Sequence, residues 1–433
     1  MSRRPPLPRT PVTAVIDGFT HGGEGVARIE GKAVFVADTL PGEQVVVEVT
    51  DDRKRWARAR LLEVVEPSED RVEPPCPHAP RPGRPGCGGC DLQHARPEAQ
   101  RELKTRVVRE QLERLGGLTD PPVAACRAVG PDLGYRTRAR LHAAEDGRLG
   151  FHVAGTHEVV PVAACPKLTP GAQAVRDEVG DETGAAEVAV RAHDRTGTRA
   201  IVLTPGEGGL SLPGADPGED PDDGAGGSDL LLAQPDGSVV AMRGDGVLAE
   251  EVAGHTFAFD ATSFFQVSLE GAEALVAEVL RACGDVAGAL VWDLYAGVGL
   301  LSVPLAAAGA EVVAVEGHAA SAAHARTNGA AASVDVEVLA EPVAAMVRRA
   351  RVGGSDPPDV VVLDPPRAGA GTEVTDDLAR LAPASIVYVA CDPAALARDA
   401  RALTGAGYRL VEAVPLDLFP MTHHVEVVAR FRR

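Results

Sequence analysis

Three residues in the C-terminal part of the chain could together form a catalytic centre. Cys391 follows the hydrophobic stretch SIVYVA, Asp364 follows VVVL, and Glu426 lies within HHVEVVARF. A thiolate is a strong nucleophile, and a carboxylate beside it can accept a proton during a reaction. Each residue could instead belong to the core or to the surface, so its interpretation depends on the elements that position it.

From residue 261 onward, hydrophobic strands alternate with alanine-rich helical segments, which is typical of a parallel sheet covered by helices on both faces. The predicted strands are 289–295, 311–316, 334–340, 359–366, 385–391, 408–419 and 423–431. A short turn joins the last two strands, so they must be antiparallel. Ligands of such sheets lie at the carboxyl ends of the parallel strands. Asp364, Cys391 and Glu426 are therefore expected at the same edge of the sheet.

The stretch DLYAGVGLLS, residues 293–302, has the features of a cofactor loop. Gly297 and Gly299 allow a sharp turn and a close approach of the backbone to a ligand. Glu316 ends the second strand, where a carboxylate can accept hydrogen bonds from ribose hydroxyls. The third glycine of the dinucleotide fingerprint is replaced by Ser302, and the loop has no basic residue for a pyrophosphate. These features favour S-adenosylmethionine, with NAD as the alternative.

A methyl donor beside a thiol and a carboxylate favours methylation of carbon 5 of a uracil. The Cys391 thiolate would add to carbon 6, and carbon 5 would then attack the methyl group. Glu426 would remove the carbon 5 proton as the general base, and Asp364 could hydrogen-bond the uracil edge. Two other classes remain open: an amino-directed methyltransferase that uses the Asp-Pro-Pro sequence alone, and a non-catalytic RNA-binding protein.

Residues 11–66 contain five short strand patterns separated by glycine-rich or aspartate-rich turns, which predicts a small closed β-barrel. The segment RKRWARAR, residues 53–60, places five basic residues around Trp56. It could contact phosphates and stack a base, or it could be a solvated basic edge strand. A second candidate RNA face consists of three arginines at alternate positions of one strand, namely Arg136, Arg138 and Arg140.

The net charge of −19 argues at first against a nucleic-acid partner. The charge is uneven, however, because residues 205–251 contain 11 Asp and Glu and a single Arg. A basic surface therefore remains possible elsewhere. We expect residues 205–229 to form an acidic surface loop.

Four of the seven cysteines have a spacing suited to metal binding: Cys76, Cys87, Cys90 and Cys165. Four thiolates can hold a [4Fe–4S] cluster or a structural zinc ion. Zinc sites often use two close cysteine pairs, and this chain has only one. The separated fourth cysteine is instead similar to the iron–sulfur ligand pattern of a family of RNA methyltransferases, which favours the cluster; four thiols without a ligand are the last alternative. Cys126 and Cys283 are expected to be core or surface residues.

These motifs resemble those of the uridine-5 RNA methyltransferases, specifically the members with an N-terminal TRAM barrel and an iron–sulfur cluster. The matching pieces are the barrel, CGGCDLQH at 87–94, YRTRARL at 135–141, SFFQV at 263–267, DLYAGVG at 293–299, DPPR at 364–367, VYVACDPAALARD at 387–399 and HHVE at 423–426. By this resemblance, Cys391 is the nucleophile and Glu426 the base. The resemblance also implies that S-adenosylmethionine or the site around it is contacted by Gln266, Tyr295, Glu316 and Asp364.

The expected architecture is a multidomain α/β protein. It has an OB-like TRAM barrel over residues 1–67, a central α+β domain with the cysteines over 68–260, and a Rossmann-like class I methyltransferase domain over 261–433. The resemblance favours 23S ribosomal RNA as the substrate, with transfer RNA as the alternative. We expect a cytoplasmic monomer that does not contact a membrane. The chain departs from the family pattern at four positions. The family usually has Ser-Cys-Asn-Pro where this chain has Ala390-Cys391-Asp392-Pro393, and asparagine is common where Ser268 and Leu300 stand.

Overall fold

The computed structural model describes residues 7–8, 10–181, 183–206, 209–210, 227–354 and 356–433. Most of the predicted acidic loop, namely residues 207–208 and 211–226, lies outside the described residues. Within these ranges, no helix combines the length and the apolar character needed to cross a membrane.

The N-terminal strands close into a five-stranded barrel in the order β1-β2-β3-β5-β4, as the sequence predicts. The strands are β1 (Val12–Phe19), β2 (Gly25–Ile29), β3 (Lys32–Val36), β4 (Gln44–Asp52) and β5 (Trp56–Glu66). Strands β3 and β5 are parallel, and the other pairs are antiparallel. Side chains at alternate positions, such as Val45 and Val47, fill the barrel because successive residues of a strand point to opposite faces.

The central part of the chain forms a seven-stranded sheet in the order β13-β12-β11-β10-β7-β8-β9. Its elements, with the flanking helices and short strands, are α1 (Pro97–Arg114), β6 (Arg127–Ala128), β7 (Arg138–Ala143), β8 (Leu149–His152), β9 (Val159–Pro161), α2 (Pro170–Val179), β10 (Ala185–His193), β11 (Thr198–Pro205), β12 (Asp229–Ala233), β13 (Val239–Arg243), β14 (Val247–Val252) and β15 (His255–Asp260). Strands β14 and β15 form a separate hairpin, and α2 packs on β10 and β11.

The C-terminal part forms an eight-stranded sheet in the order β18-β17-β16-β19-β20-β22-β21-β6. Its elements are α3 (Leu269–Cys283), β16 (Leu290–Leu294), α4 (Ser302–Ala307), β17 (Glu311–Val315), α5 (Ala319–Ala331), β18 (Val336–Leu339), α6 (Val343–Gly353), β19 (Val360–Leu363), α7 (Gly371–Leu381), β20 (Ser385–Ala390), α8 (Pro393–Gly405), β21 (Arg409–Asp417) and β22 (Glu426–Arg432). Strands β16 to β20 are parallel, and β22 is antiparallel to both neighbours. The strand order reverses beside β16, which opens a crevice at the carboxyl ends of β16 and β19.

This sheet is buried on both faces. Val387 and Val389 of β20 belong to one hydrophobic core, whereas Ile386 and Tyr388 belong to a second core on the opposite face. Continuous apolar strands are expected where both faces of a sheet are covered.

The domain limits inferred from the sequence stay a prediction, and the packing crosses them. Helix α1 packs on α8 and β21, and β6 is the last strand of the C-terminal sheet. Residues 97–128 precede the central sheet in sequence but contribute to the C-terminal hydrophobic core.

Candidate active site

Strand register brings Cys391 beside Glu426. Ala390, the last residue of β20, lies opposite Val427 of β22, so Cys391, which follows β20, adjoins Glu426, the first residue of β22. Asp364 follows β19, which is the other neighbour of β20. The structure therefore brings the three predicted residues to one edge of the sheet.

The carboxyl group of Glu426 is buried, and one of its oxygens has no hydrogen-bond partner among the described residues. The residue is 4% exposed, and the oxygen without a partner is Oε1. Burial raises the pKa of Glu426 well above its usual range, and the nearby Asp364 raises it further, while Arg367 lowers it. Burial also raises the pKa of Asp364 to about 7. A carboxyl whose pKa is raised toward neutrality is suited to taking up and releasing a proton.

The thiol of Cys391 is partly buried at the same place. Burial, and then the charges of Glu426 and Asp364, raise the pKa of Cys391 to about 11, while Arg367 lowers it. The thiol is therefore protonated at neutral pH in the free protein, and it must lose its proton before it can act as a nucleophile.

Two further residues of this edge received no role in the sequence analysis. A guanidinium nitrogen of Arg367 lies 3.4 Å from Nε2 of His424. Burial, with the neighbouring His423 and Arg367, lowers the pKa of His424 to about 3, so its ring is neutral at physiological pH. The sequence signal for Arg367 was its place in Asp-Pro-Pro-Arg, but its proximity to Cys391 and Glu426 follows only from the fold.

The cofactor loop between β16 and α4 depends on left-handed backbone positions. Tyr295, Gly297 and Gly299 have φ angles of 65°, 57° and 89°. The Gly297 amide donates a 2.8 Å hydrogen bond to Glu316. The other oxygen of Glu316 accepts a 2.7 Å bond from the His318 amide. These bonds fix the Glu316 carboxylate, which directly follows β17, against the loop, in the position expected for ribose binding.

Three carboxyl groups lie near this loop. Asp293 is 1% exposed and accepts a hydrogen bond from the Ser302 hydroxyl, but its Oδ1 has no donor among the residues described. Burial raises the pKa of Asp293 to about 7, and the charges of Asp364 and Glu316 also raise it. An orphaned buried carboxyl with two acidic neighbours favours a cationic ligand over a pyrophosphate. The site therefore fits S-adenosylmethionine better than NAD.

Gln266 lies in the buried segment that enters α3. This segment is held by the amide and the hydroxyl of Thr137, which donate to the Val267 carbonyl at 2.9 and 3.2 Å. Phe265 is buried and stacks on Phe259, whereas Phe264 is 64% exposed. The side-chain amide of Gln266 makes no hydrogen bond to another described residue, so this group remains available to a ligand.

The four predicted cluster ligands line one cavity of about 230 Å³. Burial raises the pKa of Cys87 to about 11, and the other three thiols raise it further. Three cationic residues also line the cavity, namely Arg136, Arg140 and Lys167. The buried Lys167 ammonium donates to the Gly89 carbonyl at 3.2 Å. Nowhere in the described part of the chain are three or more His, Cys, Asp or Glu side chains arranged to hold a metal ion.

The four departures from the family pattern have simple structural roles. Asp392 caps α8 by accepting a 2.7 Å bond from the Ala395 amide, and Ser268 caps α3 in the same way. Asparagine, aspartate and serine are comparable N-cap residues, so these changes preserve the caps. Ala390 and Leu300 are buried core residues.

The basic segment of the barrel is largely paired with acids. Arg53 pairs with Asp51, Arg58 pairs with Glu24, and Arg60 pairs with Glu48. Arg58 also lies over the Trp56 ring at 5.5 Å from its centroid. Two exposed cations of this segment, Lys54 and Arg55, have no acidic partner among the residues that the structure describes.

The barrel, the glycine loop and the acidic cleft define an S-adenosylmethionine-dependent methyltransferase fused to an RNA-binding type of barrel. Comparisons with known proteins identify its family. The TRAM domain family matches residues 8–62, and the tRNA (uracil-5-)-methyltransferase family matches residues 245–432. The chain belongs to the S-adenosylmethionine-dependent RNA uracil C5-methyltransferases.

Similar proteins cover almost the whole chain. An RNA methyltransferase of Streptomyces coelicolor, described as uncharacterized, is 38% identical over 94% of this chain and 90% of its own length. The 23S rRNA (uracil(1939)-C(5))-methyltransferase of Pectobacterium atrosepticum is 34% identical over 100% of this chain and 96% of its own. The crystal structure of Pyrococcus abyssi tRNA (uracil-54, C5)-methyltransferase with S-adenosyl-L-homocysteine aligns with a TM-score of 0.74 and 26% identity, over 97% of this chain and 99% of that one. The predicted family, fold class and enzyme class are confirmed.

Proposed function

We propose that this RNA uracil C5-methyltransferase uses Cys391 as its nucleophile and Glu426 as its general base. The observation that carries the proposal is the register of β20 and β22, which sets a thiol beside a buried carboxyl whose Oε1 has no hydrogen-bond partner in the described part of the chain. A core cysteine would not need an ionisable neighbour at the open end of a sheet.

The proposed reaction balances in four steps. The Cys391 thiol first gives its proton to solvent, and its sulfur then bonds to carbon 6 while the double-bond electrons move toward the carbon 4 oxygen as an enolate. Carbon 5 next bonds to the methyl carbon, and the electron pair of the broken carbon–sulfur bond stays on the departing sulfur. Glu426 takes the carbon 5 proton, the carbon 5–carbon 6 double bond re-forms, and the Cys391 thiolate leaves. The net products are 5-methyluridine, S-adenosylhomocysteine and one proton.

The cofactor edge supplies the groups that would hold the methyl donor. When bound, S-adenosylmethionine supplies an electrophilic methyl group. Glu316 would accept hydrogen bonds from the ribose hydroxyls, and the left-handed backbone at Gly297 and Gly299 lets the loop approach the nucleoside. Asp293 and Asp364 would face its positive charge. Gln266 and Tyr295 complete the proposed set.

Two variants test these roles. Cys391→Ala should abolish turnover, whereas Glu426→Gln should methylate the base and then fail to release it. The second variant should accumulate a methylated RNA–protein adduct that survives a denaturing gel. Full activity of Cys391→Ala would instead support the amino-directed alternative, which needs no thiol.

We infer that the substrate is a uridine of 23S ribosomal RNA. The support is two relatives that match the full chain and are named for that activity, from Pectobacterium atrosepticum and Alkalilimnicola ehrlichii. Transfer RNA is the alternative, supported by the matched family's name and by the structural neighbour. Purified enzyme should form 5-methyluridine in 23S transcripts and leave transfer RNA transcripts unmethylated, as read by mass spectrometry. The reverse result would select transfer RNA.

We also propose that Cys76, Cys87, Cys90 and Cys165 hold a [4Fe–4S] cluster. With four thiolates, an oxidised cluster carries a net charge of about −2, and the cationic lining of the cavity suits that charge. Zinc, which four thiolates can also bind, is the alternative ligand of these cysteines.

Iron, sulfide and zinc analysis of anaerobically purified protein tests the cluster. We expect about four iron atoms per chain, lost in Cys87→Ser and retained in the matched control Cys283→Ser, whose thiol lies outside the cavity. One zinc ion and no iron would overturn the assignment.

We further propose that the enzyme is cytoplasmic and works as a monomer. The monomer is supported because all residues of the proposed sites lie within one chain, and light scattering tests it.

A further inference from the structure

Asp91 connects the cysteine-bearing segment to the turn that precedes Glu426. Its carboxylate accepts a 2.8 Å hydrogen bond from the His423 amide and a second, short bond from Nδ1 of the same residue. The amides of Asp91 and Leu92 both donate to the Met421 carbonyl, at 3.2 and 3.1 Å. Because Asp91 directly follows Cys90, one short segment contributes both a cavity thiol and the anchor of this turn.

Other side chains hold the same turn from outside the C-terminal sheet. The Met421 amide donates to Gln100 at 2.8 Å, and the Tyr135 hydroxyl donates to the Pro420 carbonyl at 3.0 Å. The barrel lies against the same turn. Gly23 is so close to His423 that a Cβ atom built on the glycine would lie 3.0 Å from the Cβ of His423. All three parts of the chain therefore meet at His423.

The position of Glu426 depends on this turn. Strand β22 begins at Glu426, so sheet pairing ends there, and Oε1 of its carboxyl group has no hydrogen-bond partner among the described residues to orient it. The backbone that leads into β22 must therefore fix its direction. The His423 ring also packs at 4.1 Å from the His424 ring, which in turn contacts Arg367.

We propose that Asp91 and His423 are a positioning pair that aims the Glu426 carboxylate at the carbon 5 proton. Through this pair, the position of the segment that carries Cys90 and Asp91 determines the position of Glu426 when the carbon 5 proton is removed. This inference rests on the proposed role of Glu426 as the base. If the pair is broken, Cys391 can still add to carbon 6, and methyl transfer can still occur, but release of the methylated base slows. The methylated RNA–protein adduct then accumulates.

The test compares Asp91→Ala, Asp91→Asn and Glu426→Gln in single-turnover and steady-state assays. Asp91→Ala should lower kcat at least tenfold, change the KM values for RNA and S-adenosylmethionine less than twofold, and raise the adduct fraction on a denaturing gel. Asp91→Asn keeps one acceptor for the His423 amide and should recover part of the lost kcat. The matched control is Asp70→Ala, which removes an aspartate bonded to the side chain of Arg96 away from this turn and should leave kcat unchanged.

The outcomes separate the two proposals. Unchanged kcat in Asp91→Ala, or a lower kcat without adduct, overturns the positioning pair if Glu426→Gln does accumulate adduct. Absence of adduct in Glu426→Gln overturns the proposed base itself. Iron content is measured on the same samples. If both Asp91 variants lose turnover only in proportion to the iron that they lose, the positioning pair is also overturned. Adduct at full iron content supports it.

Discussion

The ionisation of Cys391 gives the sharpest test of the site in the free enzyme. Its pKa is raised from the ordinary 9.0 to about 11, first by burial and then by the charges of Glu426 and Asp364. Each pKa unit is worth about 1.4 kcal/mol, so the protonated thiol is favoured by roughly 3 kcal/mol relative to an ordinary cysteine. At pH 8 the thiolate fraction should be about a hundredfold lower than for an unperturbed thiol.

Alkylation by iodoacetamide, followed by peptide mass spectrometry, measures this ionisation separately for each cysteine. The rate at Cys391 should rise with pH and reach half its maximum near pH 11. Two substitutions should shift that midpoint in opposite directions. Glu426→Gln removes a negative charge and should lower it, whereas Arg367→Met removes a positive charge and should raise it.

A midpoint at or below pH 8.5 in the free enzyme would refute this reasoning, because the thiol would then be activated without any ligand. The effect of bound ligands on this midpoint shows what activates the Cys391 thiol. Saturating S-adenosylmethionine, which carries a positive charge, should lower the Cys391 midpoint, and neutral S-adenosylhomocysteine should not. Equal effects of the two compounds would show that occupancy of the cleft, and not charge, controls the thiol.

Three further outcomes follow from the same edge of the sheet. Asp392→Ala removes the cap of α8 and should destabilise the protein by about 1 kcal/mol in calorimetry, while Asp392→Asn should match the wild type. Asp399→Ala removes the acceptor of the Tyr388 hydroxyl, bound at 2.6 Å, and one of the two acceptors of the Ala370 amide, bound at 2.8 Å, so the unfolding free energy should fall by about 1–3 kcal/mol and kcat should drop because the loop after Asp364 loosens. The pKa of Asp293 is raised from 3.8 to about 7. Between these pH values the folded state keeps a proton that the unfolded state has lost, so the free energy of unfolding should fall as the pH rises through this range. Asp293→Asn should remove that component, and identical pH–stability curves for the two proteins would contradict it.

Much of the fold could be predicted because its signals are local. The barrel strands follow from short strand patterns between glycine-rich or aspartate-rich turns, and β16 to β20 follow from continuous apolar runs between helices. The glycine loop was found in the same way, because a left-handed turn after a strand requires glycine at Gly297 and Gly299. The packing of α1 and β6 on the C-terminal sheet was not predicted, because nothing local marks which distant element covers an exposed strand edge.

By itself, the sequence determined the types of residue available for chemistry and the edge of the sheet where they lie. Residue type and strand direction are properties of short segments, and Cys391, Asp364 and Glu426 followed from them. Only the tertiary structure decided how these groups affect one another. The pairing of Ala390 with Val427 sets the thiol beside its carboxyl neighbour, and burial raises the pKa of both. The contact of Asp91 with His423 joins residues 332 positions apart. Such a contact depends on how separate domains pack, and no local pattern encodes it.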